Sequence, residues 1–140
     1  MIIGLDLGKK TLGIAVSYDY KLVLPSKTVF YQEGDFLLLV KKIKEIFFQE
    51  KIETIVLGLS FRTDKITETT KMIYYFYFLL KNHFQATKIV LENENYTTKE
   101  IKSLYRHFFP KKYLKKFRAA KDSSSAVLIL ENYLAKNLKK

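Results

Sequence analysis

The chain has 140 residues, of which 48% are hydrophobic and 15% are aromatic. This length leaves no room for two domains of ordinary size, and this composition excludes a disordered chain. The absence of cysteine excludes a disulfide scaffold and a thiolate metal site, and no apolar run approaches the roughly 20 residues of a membrane span. No signal-peptide pattern precedes the first strand-like stretch. We therefore expect one domain over residues 1–140, located in the cytoplasm.

The charge of the chain indicates a polyanionic partner. Lysine and arginine number 25 against 14 acidic residues, so the formal net charge is +11 and the isoelectric point is near 9.7. A charge of this size attracts nucleic acid over long distances. Two alternatives stay open, namely that the lysines keep an apolar domain in solution or that they bind an anionic membrane surface. We favour nucleic acid and expect no membrane partner.

The first part of the chain predicts three strands and a helix. Residues 2–7 and 11–18 are strand-like, and Gly8-Lys9-Lys10 joins them as a tight hairpin turn. A third strand-like run at 22–31 completes a meander. Asp35 is then a predicted N-cap. The apolar residues after it keep helical spacing, at positions 36, 39, 40, 43, 46 and 47.

The second part alternates between strands and helices. Residues 54–59 and 88–92 are short apolar runs of the kind found in buried strands. A helix is predicted between them, with an apolar stripe formed by Ile66, Ile73, Phe76, Tyr77, Leu80 and Phe84. Thr97 and Glu100 form a capping box for a further helix, which Pro110 ends or interrupts.

A last helix is predicted from about Ala119 to Leu134, which makes the order of elements β-β-β-α-β-α-β-α-α. A meander followed by right-handed crossovers gives a sheet that is antiparallel first and parallel afterwards, with helices on both faces. The predicted fold class is therefore α/β, with a mixed five-stranded sheet.

Three acids lie where a carboxylate is expected to be functional. Asp6 lies inside the first apolar strand, where burial is costly. Glu94 follows the fifth strand at its carboxyl end, where open α/β sheets usually have their sites. Asp122 falls on the apolar face of the last helix, in line with Ala126 and Leu130. Converging carboxylates need a cation, and oxygen ligands without His or Cys favour Mg²⁺ or Mn²⁺. We predict that these three acids are catalytic and hold this metal for phosphodiester hydrolysis.

Each acid could instead have a purely structural role. Asp6 could cap a turn, and Glu94 could be a solvated loop residue. Asp122 could be the N-cap of a helix that begins at Ser125. Glu92, at the end of the fifth strand, is a weaker candidate for a further ligand.

Four segments carry a resemblance to a known family: GLDLGKKTLGIAVS at 4–17, IVLGLS at 55–60, NENYTT at 93–98 and DSSSAVLILENYL at 122–134. In this order they resemble the signature blocks of the YqgF family, described first as Holliday junction resolvases and later as nucleases of pre-16S rRNA. The resemblance implies an RNase H-like fold with three layers. It also implies a metal-dependent endonuclease that matures the 5′ end of small-subunit ribosomal RNA, with its metal acids at Asp6, Glu94 and Asp122.

The chain departs from the family pattern at several positions. Asn93 and Asn95 stand where the family often has Asp and Arg, and Ser60 stands where it usually has proline. The loss of the arginine removes a bidentate phosphate contact. Ser125 and Ala126 occupy positions where resolvase relatives tend to carry a second acid, so the set of carboxylates is small.

A basic segment at 99–121 joins Glu94 to Asp122 and contains nine lysines and arginines, interleaved with aromatic residues. This composition suits phosphate contacts combined with base stacking. The alternative is a solvated helix whose aromatic residues lie in the core. His107 is interpreted as a surface residue of the basic segment in preference to a general base. The predicted substrate-binding residues are Lys9, Lys10, Lys111, Lys112, Lys115, Lys116 and Arg118.

Three functions are compatible with these patterns. The first is a nuclease acting on precursor rRNA or branched DNA. The second is a non-catalytic protein that binds RNA or the ribosome through a degenerate nuclease fold. The third is an ATP-binding fragment, because DLGKKTLGIAV also resembles the phosphate loop of actin-like and sugar kinases, although 140 residues cannot hold the second domain such proteins need. We favour the nuclease, as a monomer or a homodimer.

Overall fold

The structure of the chain is a computed structural model that describes residues 1–59, 68–93 and 121–138. The strands are β1 (Ile2–Leu7), β2 (Thr11–Ser17), β3 (Leu24–Phe30), β4 (Thr54–Leu59) and β5 (Lys88–Asn93). The helices are α1 (Phe36–Ile46), α2 (Glu68–His83) and α3 (Lys121–Leu138). The predicted capping box at Thr97 and Glu100 and the helix end at Pro110 lie outside the described residues.

The five strands form one mixed sheet in the order β3-β2-β1-β4-β5. The first three strands are an antiparallel meander, whereas β1, β4 and β5 run parallel. The turn after β1 is closed by a hydrogen bond of 2.8 Å from the Gly8 amide to the Thr11 carbonyl. The predicted hairpin, meander and parallel strands are all confirmed.

The helices begin close to the predicted positions. The Asp35 side chain accepts a hydrogen bond of 3.4 Å from the Leu38 amide, as an N-cap does. The buried residues of α1 are those of the predicted stripe, and α2 likewise buries Ile73, Phe76 and Leu80. Ile66 lies outside the described residues, and Phe84 follows the end of α2. The last helix continues four residues beyond the predicted end at Leu134.

The sheet separates two hydrophobic clusters. Odd-numbered residues of β1, such as Ile3 and Leu5, pack with α1 and α2 on one face. Ile2 packs with Val56 and with the apolar side of α3 on the other face. The described part of the molecule therefore has helices on both sides of the sheet, as the order of elements predicted. None of its helices is long and apolar enough to cross a membrane.

Helix α3 lies directly against the backbone of β1. A Cβ atom added at Gly4 would stand 2.9 Å from the carbonyl oxygen of Ala126 and 2.9 Å from the Cβ of Leu130. No side chain fits there without displacing the helix, so glycine at this position allows the close approach. The contact fixes α3 above the central strand.

Candidate nuclease site

Asp6 lies on the face of the central strand that α3 covers. Side chains alternate between the two faces along a strand. Because Ile2 packs under α3 and Leu5 packs under the other two helices, Asp6 shares the α3 face with Ile2 and Gly4. Its side chain is half-buried, whereas its neighbours in the strand are buried. The sequence prediction of an acid within the apolar central strand is therefore confirmed for its location.

Two glycines flank Asp6 on this face of the sheet. Gly13 of β2 is its direct partner. Strands β1 and β4 run parallel and in register, so Gly58 comes beside Asp6 one position beyond their last pair. Gly58 is in turn the partner of Glu92 in β5. These four residues form a row across the sheet, the acid–glycine row, in which the two acids are about 10 Å apart at their Cα atoms, or two strand spacings.

Glu92 is a buried acid that is already paired. Its side chain is 8% exposed, and its Oε1 atom accepts from the Lys136 Nζ at 2.5 Å and from the Asn132 Nδ2 at 2.7 Å. Both partners lie on α3, one turn apart, so the contacts join the end of β5 to the C-terminal half of this helix. A buried carboxylate needs such compensation to remain charged. Glu92 is therefore already engaged with α3 through one carboxylate oxygen, and its role as a further metal ligand stays a prediction.

Of the other two predicted metal ligands, the structure describes only the helical position of Asp122. Glu94 lies outside the described residues. Asp122 is the second residue of α3, one turn before Ala126, and its side chain also lies outside the description. Because α3 already includes Lys121, Asp122 is not the N-cap of a helix that begins at Ser125, so that alternative is wrong. Within residues 1–59, 68–93 and 121–138, no group of three or more His, Cys, Asp or Glu side chains could hold a metal ion.

Tyr31 stabilises the turn between β1 and β2, which follows Asp6, through two hydrogen bonds. The Tyr31 hydroxyl donates to the Gly8 carbonyl, and the Tyr31 amide donates to the Lys10 carbonyl at 3.0 Å. Burial, and secondly the charge of Glu33, raises the pKa of Tyr31 to about 12, so its hydroxyl remains a donor at neutral pH. Lys9 and Lys10, both predicted to bind substrate, are exposed on this anchored turn. The described geometry thus puts two cations next to the strand that carries Asp6.

The remaining predicted substrate-binding residues lie outside the described residues, as does His107. They are Lys111, Lys112, Lys115, Lys116 and Arg118. Their role as a nucleic-acid contact therefore stays a prediction.

The chemistry of the donors suits a hard divalent cation. Asp6 is a half-buried carboxylate donor, and its neighbours in the acid–glycine row, Gly13 and Gly58, have no side chains. Carboxylate oxygens are the ligands that Mg²⁺ and Mn²⁺ prefer. Asp6 therefore fits as one ligand of such an ion.

Sequence patterns miss two features of this region. They indicate Glu92 only as a weak candidate ligand, although Asn132 and Lys136 stand four residues apart on one side of the last helix and could have indicated a polar partner on the sheet. Glu131 is the second feature, because burial raises the pKa of its carboxyl from 4.5 to about 7. No sequence signal identifies this burial, since Glu131 stands in a helix that is expected to have one polar side.

Comparisons with known proteins agree with this architecture. A relative from Ureaplasma parvum serovar 3, named "Putative pre-16S rRNA nuclease", is 38% identical over 143 residues, covering 96% of each chain. The solved structure of RuvC from Thermus thermophilus superposes with a TM-score of 0.60 at 11% identity, covering 99% of this chain and 96% of that one.

A fowlpox virus resolvase, solved in complex with its substrate Holliday junction DNA, superposes with a TM-score of 0.61 at 12% identity. The match covers 97% of this chain and 99% of the viral one. At such low identities these two structures show the fold alone, and it is the RNase H-like fold that the resemblance implied. The sequence profile of the family described as "RuvX: Holliday junction resolvase" matches residues 1–136. The chain therefore belongs to the RuvX family of nucleases, which is the family that its four sequence blocks predicted.

Proposed function

We propose that the chain is a metal-dependent endonuclease that hydrolyses phosphodiester bonds in structured nucleic acid, and that its substrate is the precursor of 16S ribosomal RNA, cleaved during maturation of the 5′ end. The observation that carries this proposal is the position of Asp6. A half-buried aspartate stands in the middle of the sheet, between two residues without side chains, in a chain of net charge +11. An acid in that environment suits metal binding better than it suits packing.

Asp6, Glu94 and Asp122 are the residues that would hold Mg²⁺ or Mn²⁺. The bound metal would supply activation of a water molecule and stabilisation of the leaving oxygen. The protein holds Asp6 in place through the hydrogen bonds of the central strand and holds α3 over it through the contact at Gly4. The first support is a set of backbone hydrogen bonds. The second is the close approach of the Gly4 backbone to the Ala126 carbonyl and the Leu130 Cβ, which suits a site whose ligands must stay fixed.

The substrate would be bound through its phosphates. Lys9 and Lys10 are exposed on the turn after β1, and the cations of the basic segment would extend the same surface. Lysines contact phosphates as point charges and do not read bases. We therefore propose recognition by shape and charge, in the cytoplasm, by a chain that forms one domain over residues 1–140.

The choice of RNA over branched DNA rests on the name of the Ureaplasma relative. The description of the family and the fowlpox complex favour a second candidate, a resolvase of Holliday junctions. A third candidate is a non-catalytic protein that binds RNA or the ribosome. The departures at Asn93 and Asn95 favour it, because they remove an acid and an arginine that family members often carry.

One experiment separates these candidates. Purified protein is incubated with end-labelled precursor rRNA and with a labelled four-way DNA junction, each with Mn²⁺ or with EDTA. We expect cleavage of the RNA that requires Mn²⁺ and is absent from the Asp6→Asn variant. Cleavage of the junction alone would select the resolvase, and binding of RNA without cleavage of either substrate would select the non-catalytic protein.

A further inference from the structure

Glu92, Asn132 and Lys136 form a polar cluster that the proposed chemistry does not use. The Glu92 carboxylate is buried, whereas the Lys136 side chain is 60% exposed and reaches inward to it. The same carboxylate oxygen accepts from Asn132. We call this cluster the β5–α3 clamp, because it joins the end of one strand to the C-terminal half of one helix.

The clamp lies on the same face of the sheet as Asp6. Glu92 occupies one end of the acid–glycine row, and Gly58 separates it from Asp6. Glu94 is two residues further along the chain from Glu92, and α3 carries Asp122 fourteen residues before Lys136. The clamp therefore joins the two segments of the chain that carry the other predicted metal ligands.

A stabilising role alone does not explain the chemistry of the clamp. A buried ion pair gains little over apolar side chains of similar volume, because removing two charges from water offsets most of their attraction. Charged hydrogen bonds are directional, however, and two of them on a single oxygen atom fix both the rotation of a helix and its position along its axis. An apolar contact at the same place would hold α3 against the sheet without fixing its register.

We infer that Glu92, Asn132 and Lys136 are positioning residues, which set the register of α3 against β5 and thereby the distances among the metal-binding carboxylates. This inference rests on the proposed function. This role requires no contact between the three residues and the substrate or the metal. Their contribution is geometric. Residues that orient metal ligands without binding the metal commonly determine the affinity for that metal.

The test compares an apolar replacement of the clamp with the wild-type chain. Lys136→Met alone would leave a buried carboxylate without its cation, held only by Asn132, and could prevent folding. The decisive variant is therefore Glu92→Met combined with Lys136→Met, which removes both charges. Lys136→Arg keeps the ion pair and serves as the conservative variant. Lys42→Met is the matched control, because it breaks an exposed helix ion pair of 3.7 Å on the opposite face of the sheet.

Four quantities are measured for each variant: the melting temperature, the affinity for Mn²⁺ alone by titration calorimetry, and kcat and KM on precursor rRNA. For the double variant we expect a melting temperature within about 4 °C of wild type or above it. We expect its Mn²⁺ affinity and its kcat to fall about 10- to 100-fold at an unchanged KM. Lys136→Arg and Lys42→Met should behave like wild type.

The outcomes separate this inference from the proposed function. Unchanged Mn²⁺ affinity in the folded double variant would overturn the inference whether or not the protein cleaves RNA. A wild-type protein that binds Mn²⁺ more tightly than the double variant but cleaves neither substrate would overturn the proposed function and leave the inference standing. A wild-type protein that binds no Mn²⁺ would overturn both. An equal loss of affinity in Lys42→Met would also overturn the inference, because the effect would then not belong to the clamp.

Discussion

The carbonyl oxygen of Ala126 lies so close to Gly4 that a single added carbon would stand 2.9 Å from it. This contact between a helix and a strand is made by backbone, so side-chain rotation cannot relieve it. Asp6 is two residues along the strand from Gly4, and position 122 is one helical turn before Ala126. The height of α3 above the sheet at this point therefore determines how closely these two acids can approach.

Gly4→Ala should lift α3 and lower stability by about 1–3 kcal/mol, because a methyl group added to a well-packed site forces the backbone apart. The measurement is the free energy of unfolding by denaturant, together with the cleavage rate under conditions where the variant is fully folded. Gly34→Ala is the control, since Gly34 has space for a methyl group but a φ of +91°. It should lose stability through backbone strain alone and keep the cleavage rate. If Gly4→Ala were as stable as wild type, α3 would be able to move away from β1 without a loss of free energy.

Asp6→Asn should abolish cleavage while the melting temperature of the metal-free protein stays the same or rises slightly, because carboxylates gathered at a metal site repel one another without the metal. Cleavage assays and thermal denaturation in EDTA measure the two effects. Glu50→Gln, at an exposed position after α1, is the control for loss of one negative charge. A large drop in melting temperature would instead support the alternative that Asp6 caps a turn.

Glu131 should make stability depend on pH. Burial raises the pKa of its carboxyl to about 7 in the folded chain, against 4.5 for the free group. The folded state therefore binds more protons than the unfolded state between these values, so stability falls as pH rises from about 4.5 to about 7 and stays low above that range.

Glu131→Gln should remove this dependence. It should raise the free energy of unfolding at pH 8 by about 1 kcal/mol, a value reduced because the side chain keeps part of its surface in water. At pH 4 the variant and wild type should be alike. Denaturant unfolding at both values, with Glu50→Gln as control, checks the sign, and a variant less stable than wild type at pH 8 would contradict it.

Tyr31→Phe should loosen the turn that carries Lys9 and Lys10. The substitution keeps the ring and its packing at 6.0 Å from Phe36, but it leaves the Gly8 carbonyl without the hydroxyl donor. We expect a loss of about 1 kcal/mol of stability and a weaker affinity for nucleic acid. Tyr75→Phe, on the exposed side of α2, is the control. Affinity unchanged in Tyr31→Phe would mean that the turn does not need this anchor to bind substrate.

The basic segment should contribute to affinity through phosphates. Each phosphate contact contributes about 0.7–0.9 to the slope of log affinity against log salt concentration. Replacing Lys111, Lys112, Lys115 and Lys116 by alanine should lower this slope by roughly 2–3, allowing for one or two idle side chains, and weaken binding about equally for all sequences. Stability should hardly change.

The matched control for that variant removes four exposed lysines from the opposite face of the sheet, Lys41, Lys42, Lys71 and Lys81. It produces the same change in net charge. Equal slopes of log affinity against log salt concentration in the two quadruple variants would indicate a general charge effect. They would support the alternative that the basic segment is a solvated helix.

Local patterns predicted the elements of this fold. Asp35 before an apolar stripe fixed the start of α1, and the short run 54–59 indicated a buried strand, because each pattern is complete within a few residues. The family resemblance added the RNase H-like arrangement. The location of Asp6 could be predicted because one acid inside an apolar strand stands out in the sequence.

The clamp could not be predicted in the same way. Glu92 is paired with residues 40 and 44 positions away, and whether its carboxylate faces α3 depends on the register of a strand against a helix. The burial of Glu131 has the same origin, since it depends on how α3 is rotated over the sheet. Both properties arise from tertiary packing, for which a single sequence has no local signal.

The division of the hydrophobic interior by the sheet has a consequence for the amount of active enzyme. Among the described residues, nineteen buried side chains form the cluster under α1 and α2, whereas nine form the cluster that includes α3. Detachment of α3 would expose only the smaller cluster to solvent, and the larger cluster would remain buried. Such partial openings require less free energy than global unfolding. The fraction of molecules able to cleave would then be set by the docking equilibrium of a single helix, and cleavage would be lost under mild stress while the sheet with α1 and α2 still resists proteolysis.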